Sequence, residues 1–163
     1  IQEIHEKVEG IKIDLVGDLK HGRAVSSLLK ALLLFKVEIF LVAPRELAIE
    51  ESEEKRLKKL GVRFYESSAL EEVIKEADVL YMTRLQRERL HQEMAQNYCL
   101  KKEMLRGCKP HLSILHPLPR VGEIEREIDE TPFAKYFEQA KNGVFVRIAL
   151  LALLLPKKYN QKT

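Results

Sequence analysis

Five short apolar runs, at residues 11–16, 37–42, 62–65, 79–82 and 112–115, recur along the chain with helix-length stretches between them. No other feature restricts the fold as much. A run such as Val79-Leu80-Tyr81-Met82 is apolar at every position rather than at alternate ones, so both of its faces must be covered. Strands of that kind alternating with helices make a parallel sheet between two helical layers. The expected fold class is therefore α/β: a three-layer αβα sandwich with a mostly parallel, Rossmann-like sheet of four to five strands. Residues 1–9 read as the end of a helix stopped by Gly10, and residues 24–35 as a helix apolar on most sides. A charged amphipathic helix is expected at 46–60, opened by Pro44 and closed by Gly61. Ser68 and Glu71 have the spacing of a capping box. A polar helical stretch follows at 85–107, and then one long helix at 132–155 in which Gly143 is a candidate break.

In such a sheet, ligands gather beyond the carboxyl ends of the strands. The loops after the second and third runs hold ordinary turn-and-cap residues, Pro44 and Ser67-Ser68. The other three do not. They carry Lys20-His21-Gly22-Arg23, then Thr83-Arg84-Leu85-Gln86 with Arg87 and Arg89 close behind, and His116-Pro117-Leu118-Pro119-Arg120. Three unusual loops on one edge point to one site.

Gly17 and Gly22 have P-loop spacing, but Arg23-Ala24 stands where Lys-Ser/Thr is needed for phosphate and magnesium. The pattern is not Gly-x-Gly-x-x-Gly either. The loop can deliver Arg23 to a helix N-terminus, a favourable place for an anion; a tight turn with an exposed arginine fits equally well. Arg84 ends a buried strand, and a guanidinium there can grip a carboxylate or phosphate with two parallel hydrogen bonds. Arg87, Glu88 and Arg89 also suit a solvated helix start. The two prolines of the last loop fix an extended backbone whose carbonyls can accept from an amine or amide. His116 suits either that site or a hydrogen-bonded structural role.

The charge balance excludes some classes. A net charge of +3 with 33% charged and 7% aromatic residues gives neither the basic excess nor the stacking platform of a nucleic-acid binder. The longest apolar run, at 144–155, is interrupted by Arg147 and falls short of the ~18 residues of a membrane span. Cys99 and Cys108 match no metal or redox spacing, so free thiols in a reducing cytoplasm are expected. The opening residues have no signal-peptide pattern, and a start at Ile1 is what a fragment or excised domain would give.

Taken together, Gly17-Asp18-Leu19-Lys20-His21-Gly22-Arg23, the stretch Tyr81 through Thr83-Arg84-Leu85-Gln86 to Arg89, and His116-Pro117-Leu118-Pro119-Arg120 resemble three motifs of the carboxyl-terminal domain of aspartate carbamoyltransferase catalytic chains. The likeness runs over essentially the whole chain, including Thr131 to Ala140 and Gly143 to Leu151. It implies the aspartate-binding half of an enzyme that transfers a carbamoyl group from carbamoyl phosphate to L-aspartate in pyrimidine biosynthesis. By position, Arg23 and Arg84 would bind the two carboxylates of aspartate and Gln86 would orient it. The carbonyls of Pro117 and Leu118 would hold the amine and the carbamoyl NH₂, and Arg89 would make closure contacts with the other domain. No metal or organic cofactor is implied. Carbamoyl phosphate would be bound by an amino-terminal domain that this sequence lacks, and the intact enzyme would be a homotrimer, with regulatory chains or other pyrimidine enzymes as further partners.

The resulting division is residues 1–10 as the end of an interdomain helix, 11–143 as the aspartate-binding domain, and 144–163 as a terminal helix and tail packing on the absent domain. Ala24 and Ser26 depart from the threonine and histidine common after Gly-Arg, and His91 stands where an acidic residue is frequent. Two other readings stay open: a carbamoyltransferase for another amino acid, and a non-catalytic amino-acid-binding or assembly module. The ornithine branch usually has His-Cys-Leu-Pro, and a cationic side chain would have no need of Arg84.

Overall fold

The computed structural model describes residues 1–84 and 98–155. Its centre is a five-stranded, wholly parallel sheet of β1 (Lys12–Val16), β2 (Glu38–Val42), β3 (Arg63–Ser67), β4 (Val79–Met82) and β5 (Ser113–Leu115), in the order β3-β2-β1-β4-β5. All five expected strands are present, each within a residue or two of its sequence-based bounds. The chain builds outward from β1 in one direction, then returns to β1 and builds in the other. β1 and β4 therefore flank the point where the winding reverses.

Both faces of the sheet are covered. On one, Ile13, Leu15, Ile39 and Val79 pack with Val25, Leu29 and Leu32 of α2 (Arg23–Leu32) and Leu57 of α3 (Glu51–Lys59). On the other, Val16, Leu80, Met82 and Ile114 pack with Leu70 of α4 (Leu70–Val73), with Ile74, and with Tyr136 of α5 (Tyr136–Leu154). At about 25 cal/mol per Å² of buried apolar area, these two layers supply the main stabilising force. The amino-terminal segment α1 (Gln2–His5) attaches at the lower edge, where Ile1 and Ile4 touch the first layer and His5 Nε2 meets Ser113 Oγ at 3.1 Å. There Asp78 ties three strands together: it accepts from the Lys12 N–H at 2.8 Å, from Lys109 at 2.7 Å and from His111 at 2.9 Å.

Several local expectations are corrected. The helix expected at 46–60 is a 3-10 turn, Arg45–Leu47, separated from α3. The carbonyl of Leu47 accepts the Leu19 and Lys20 N–H groups at 3.0 Å each, so a tertiary contact takes the acceptor that a continuing helix would use. The Ser68 capping box does not form. The Ser67 hydroxyl instead accepts the Ala69 N–H at 3.1 Å, and α4 begins at Leu70. The segment before α5 is a turn and an isolated bridge rather than helix, because Phe133 and Lys135 exchange backbone hydrogen bonds with Ile114. That contact covers the outer edge of β5. α5 then runs through Gly143 without a break. Residues 1–9 hold only one helical turn, since Glu6 leaves it at φ +61°. In the described part of 85–107, Leu100 bridges Ile124 and the one helical piece is a 3-10 turn, Lys102–Leu105.

Candidate active site at the carboxyl edge of the sheet

The three unusual loops leave three adjacent strands, β1, β4 and β5. Two glycines shape the first. Gly17 has φ +123°, and a Cβ there would collide with the Thr83 hydroxyl and lie 2.8 Å from the Thr83 carbonyl oxygen. Thr83 in turn bonds the carbonyl of Val16 through both its N–H (2.8 Å) and its hydroxyl (3.0 Å). The β1 and β4 loops are thus held in contact, and only a residue without a side chain permits it. Gly22 packs on the backbone of Asp18, where a Cβ would also collide. Asp18 is buried and accepts the His21 N–H at 2.8 Å, which closes the turn and starts α2 at Arg23.

Arg23, Arg84 and Pro117 line one open cleft of about 560 Å³, together with Asp18, His21, Gly22, Ala24 and Thr83. Both guanidiniums are exposed, and neither has a hydrogen-bond or ion-pair partner among the described residues. Two unspent fixed cations facing one cleft suit a ligand carrying two anionic groups. Asp18 adds a buried carboxylate, one oxygen of which has no partner among the described residues. Leu118 follows Pro117 with φ +50° and a cis bond to Pro119, and its side chain packs on the core. The cleft is lined by Pro117 and not by the Leu118 side chain. Gln86 and Arg89 lie outside the described residues, as does His91.

Arg120 takes another path. Its guanidinium makes a forked ion pair with Asp129 and donates to the Tyr136 hydroxyl at 3.1 Å, with the Tyr136 and Phe137 rings nearby. Hydrogen bonding to Arg120 holds the Asp129 carboxyl below its ordinary range. Spacing alone left two residues unseen. Glu123 carries no motif signature, yet it is buried against His116 at 2.8 Å. Burial would raise its carboxyl, but the bonds from His116 and the Val121 N–H outweigh that and hold it low. Asp18 was legible only as part of the Gly-Asp-Leu-Lys run.

The family model for "Aspartate/ornithine carbamoyltransferase, Asp/Orn binding domain" matches residues 9–154. The chain belongs to that family. Among individual carbamoyltransferases, it is 45% identical over 159 residues to the aspartate carbamoyltransferase catalytic subunit of Chromobacterium violaceum, covering 95% of this chain and 53% of that one. With the Methanosarcina barkeri catalytic subunit it shares 48% identity over 151 residues, covering 90% and 49%. The catalytic subunit of M. jannaschii aspartate transcarbamoylase superposes with a TM-score of 0.90 at 39% identity, covering 98% of this chain and 54% of that one. The Trypanosoma cruzi aspartate transcarbamoylase in complex with carbamoyl aspartate and phosphate gives 0.83 at 36%, covering 95% and 51%. The chain spans about half the length of the curated relatives it matches. The loops that carry Arg23 and Arg84 both lie within the matched residues.

Proposed function

We propose that the chain is the aspartate-binding half of an aspartate carbamoyltransferase. The observation that carries this reading is the meeting of Arg23 and Arg84, both without partners among the described residues, around the cleft that Pro117 also borders. The two arginines take the two carboxylates of L-aspartate, with Gln86 orienting it. The carbonyls of Pro117 and Leu118 hold the reacting amine and the carbamoyl NH₂. The neutral amine attacks the carbamoyl carbon, and the tetrahedral intermediate collapses as the carbon–oxygen bond to phosphate breaks and the amine proton leaves with the phosphate. Catalysis rests on orientation and fixed dipoles.

Carbamoyl phosphate is held by an amino-terminal domain, and Arg89 contacts that domain on closure. The division into residues 1–10, 11–143 and 144–163 belongs to this proposal, and its last part, a terminal helix packing on another domain, is supported by Phe145, Val146, Ile148, Leu150, Leu153 and Leu154 of α5, all exposed. A helix apolar on so many sides is suited to burial between domains. A homotrimer in the cytoplasm and a place in pyrimidine biosynthesis belong to the same proposal. No helix among the described residues is long and apolar enough to cross a membrane.

The test is to assay carbamoyl aspartate formation by the chain with and without an amino-terminal domain from a relative, and to titrate the chain alone with L-aspartate and L-ornithine. Activity only in the combination, with aspartate preferred, is expected. Equal binding of ornithine would reject the assignment.

A further inference from the structure

The loop from His116 to Glu123 has few backbone donors, because Pro117 and Pro119 have none. Three of those that remain are captured by side chains. The His116 N–H donates to Gln139 Oε1 of α5 at 3.0 Å. The Leu118 N–H donates to His116 Nδ1 at 2.8 Å, and the Val121 N–H donates to Glu123 Oε2 at 2.8 Å. His116 Nε2 then closes the circuit on Glu123 Oε1 at 2.8 Å. His116 is 0% and Glu123 4% exposed, so water does not compete for these bonds.

A backbone N–H can only donate, so His116 Nδ1 must be the acceptor and the ring proton must sit on Nε2. An acceptor opposite Nε2 fixes that tautomer, and Glu123 supplies it. Glu123 is itself anchored, since its carbonyl accepts the Leu100 N–H at 2.9 Å. The carbonyls of Pro117 and Leu118, by contrast, accept no hydrogen bond from a described residue. The loop therefore turns these three donors inward and leaves two acceptors without a partner among the described residues.

We infer that Glu123, acting through the tautomer of His116, is the positioning residue that aims the Pro117 and Leu118 carbonyls. The inference rests on the proposed function for what those carbonyls receive. Without Glu123 the imidazole is free to carry its proton on Nδ1. That would set two donors face to face at the Leu118 N–H and turn the Pro117–Leu118 peptide. Glu123→Gln keeps an oxygen for Nε2–H but has only an N–H₂ to face the Val121 N–H, so it restores the tautomer and not the second bond.

The experiment compares Glu123→Ala and Glu123→Gln with the parent, in the full chain and in the enzyme reconstituted with an amino-terminal domain. Nitrogen NMR of His116 and amide exchange of Leu118 read the loop directly. Amide protection of Leu15 and Leu80 reports whether the sheet stays folded. Expected for the alanine variant are loss of the unprotonated Nδ1 signature, loss of Leu118 protection with the sheet intact, and a kcat about tenfold or more lower with the aspartate KM moved far less. The glutamine variant should recover the Nδ1 signature and most of kcat. An unchanged Leu118 amide in the alanine variant, or a glutamine variant no better than alanine, overturns the inference. So does a displaced loop with parental turnover. In that last case Arg84→Ala separates the two ideas: if it abolishes aspartate use the proposed function stands, and if it too is silent that function fails with it.

Discussion

Gly17 lies directly against Thr83, close enough that the hydroxyl and carbonyl of Thr83 occupy the space where any other residue would carry its Cβ. This contact welds the loop bearing Arg23 to the loop bearing Arg84, and the width of the cleft depends on it.

Gly17→Ala should therefore do double damage. At φ +123° an alanine is strained, and its methyl must push back the Thr83 backbone. A loss of about 2–4 kcal/mol is expected from strain and overpacking together. Urea unfolding measures it; a change within experimental error would mean that the two loops are not rigidly joined.

Arg84→Ala should behave in the opposite way. The side chain is exposed and has no partner among the described residues, so the unfolding midpoint should hardly move. In the reconstituted enzyme a carboxylate would be left unpaired in the closed site, at roughly 3–5 kcal/mol, or two to four decades in kcat/KM. Steady-state kinetics with varied aspartate give the ratio, and a fall of less than tenfold would remove Arg84 from the site.

Asp14 should make stability depend on pH with an unusual sign. It is 1% exposed in the middle of β1, and burial together with the nearby Asp78 charge raises its carboxyl from 3.8 to about 7, against weaker opposing effects of Lys109 and Lys12. Between those values the folded chain keeps a proton that the unfolded chain releases. This contribution is complete below about pH 4 and is lost as the pH rises to 7. At about 1.4 kcal/mol per unit it amounts to roughly 4 kcal/mol. Subtracting the pH–stability curve of Asp14→Asn from that of the parent isolates it. A flat difference between pH 4 and 7 would show that Asp14 ionises freely in the fold.

The exposed apolar residues of α5 should make the chain associate when it is alone. Leu153 and Leu154 are 82% and 78% exposed. Sedimentation velocity should show concentration-dependent oligomers and a hydrophobic dye should bind, while Leu150→Glu with Leu154→Glu should abolish both. A monomer that binds no dye would contradict this.

The sheet was legible because its signal is local: five apolar runs bounded by glycine and turn residues specify strands whatever surrounds them. The boundaries that shifted were decided by partners distant in sequence. Leu47 gave its carbonyl to the β1 loop, and Phe133 and Lys135 were drawn onto β5. That Arg23 and Arg84 would lie on one edge of the sheet could be read in advance, because Arg84 directly follows a buried strand and Arg23 closes the Gly17–Gly22 turn after another. Glu123 and Asp14 could not, since a carboxylate in a loop and one inside a strand both look like surface until the fold covers them. The fate of Arg120 depended on Asp129 and Tyr136, residues that only tertiary structure brings to it.

The ion pair that absorbs Arg120 has an electrostatic outcome. Of the described arginines on this rim of the sheet, the one in the proline loop is neutralised by Asp129, while Arg23 and Arg84 have no acidic partner among the described residues. Among the described residues, the free guanidiniums of the rim therefore lie toward α2 and β4, and the loop after β5 offers backbone dipoles. An amphoteric guest would meet attraction for its acid groups at one end and no like-charge repulsion for its nitrogen at the other, which gives it a single favoured heading on entry.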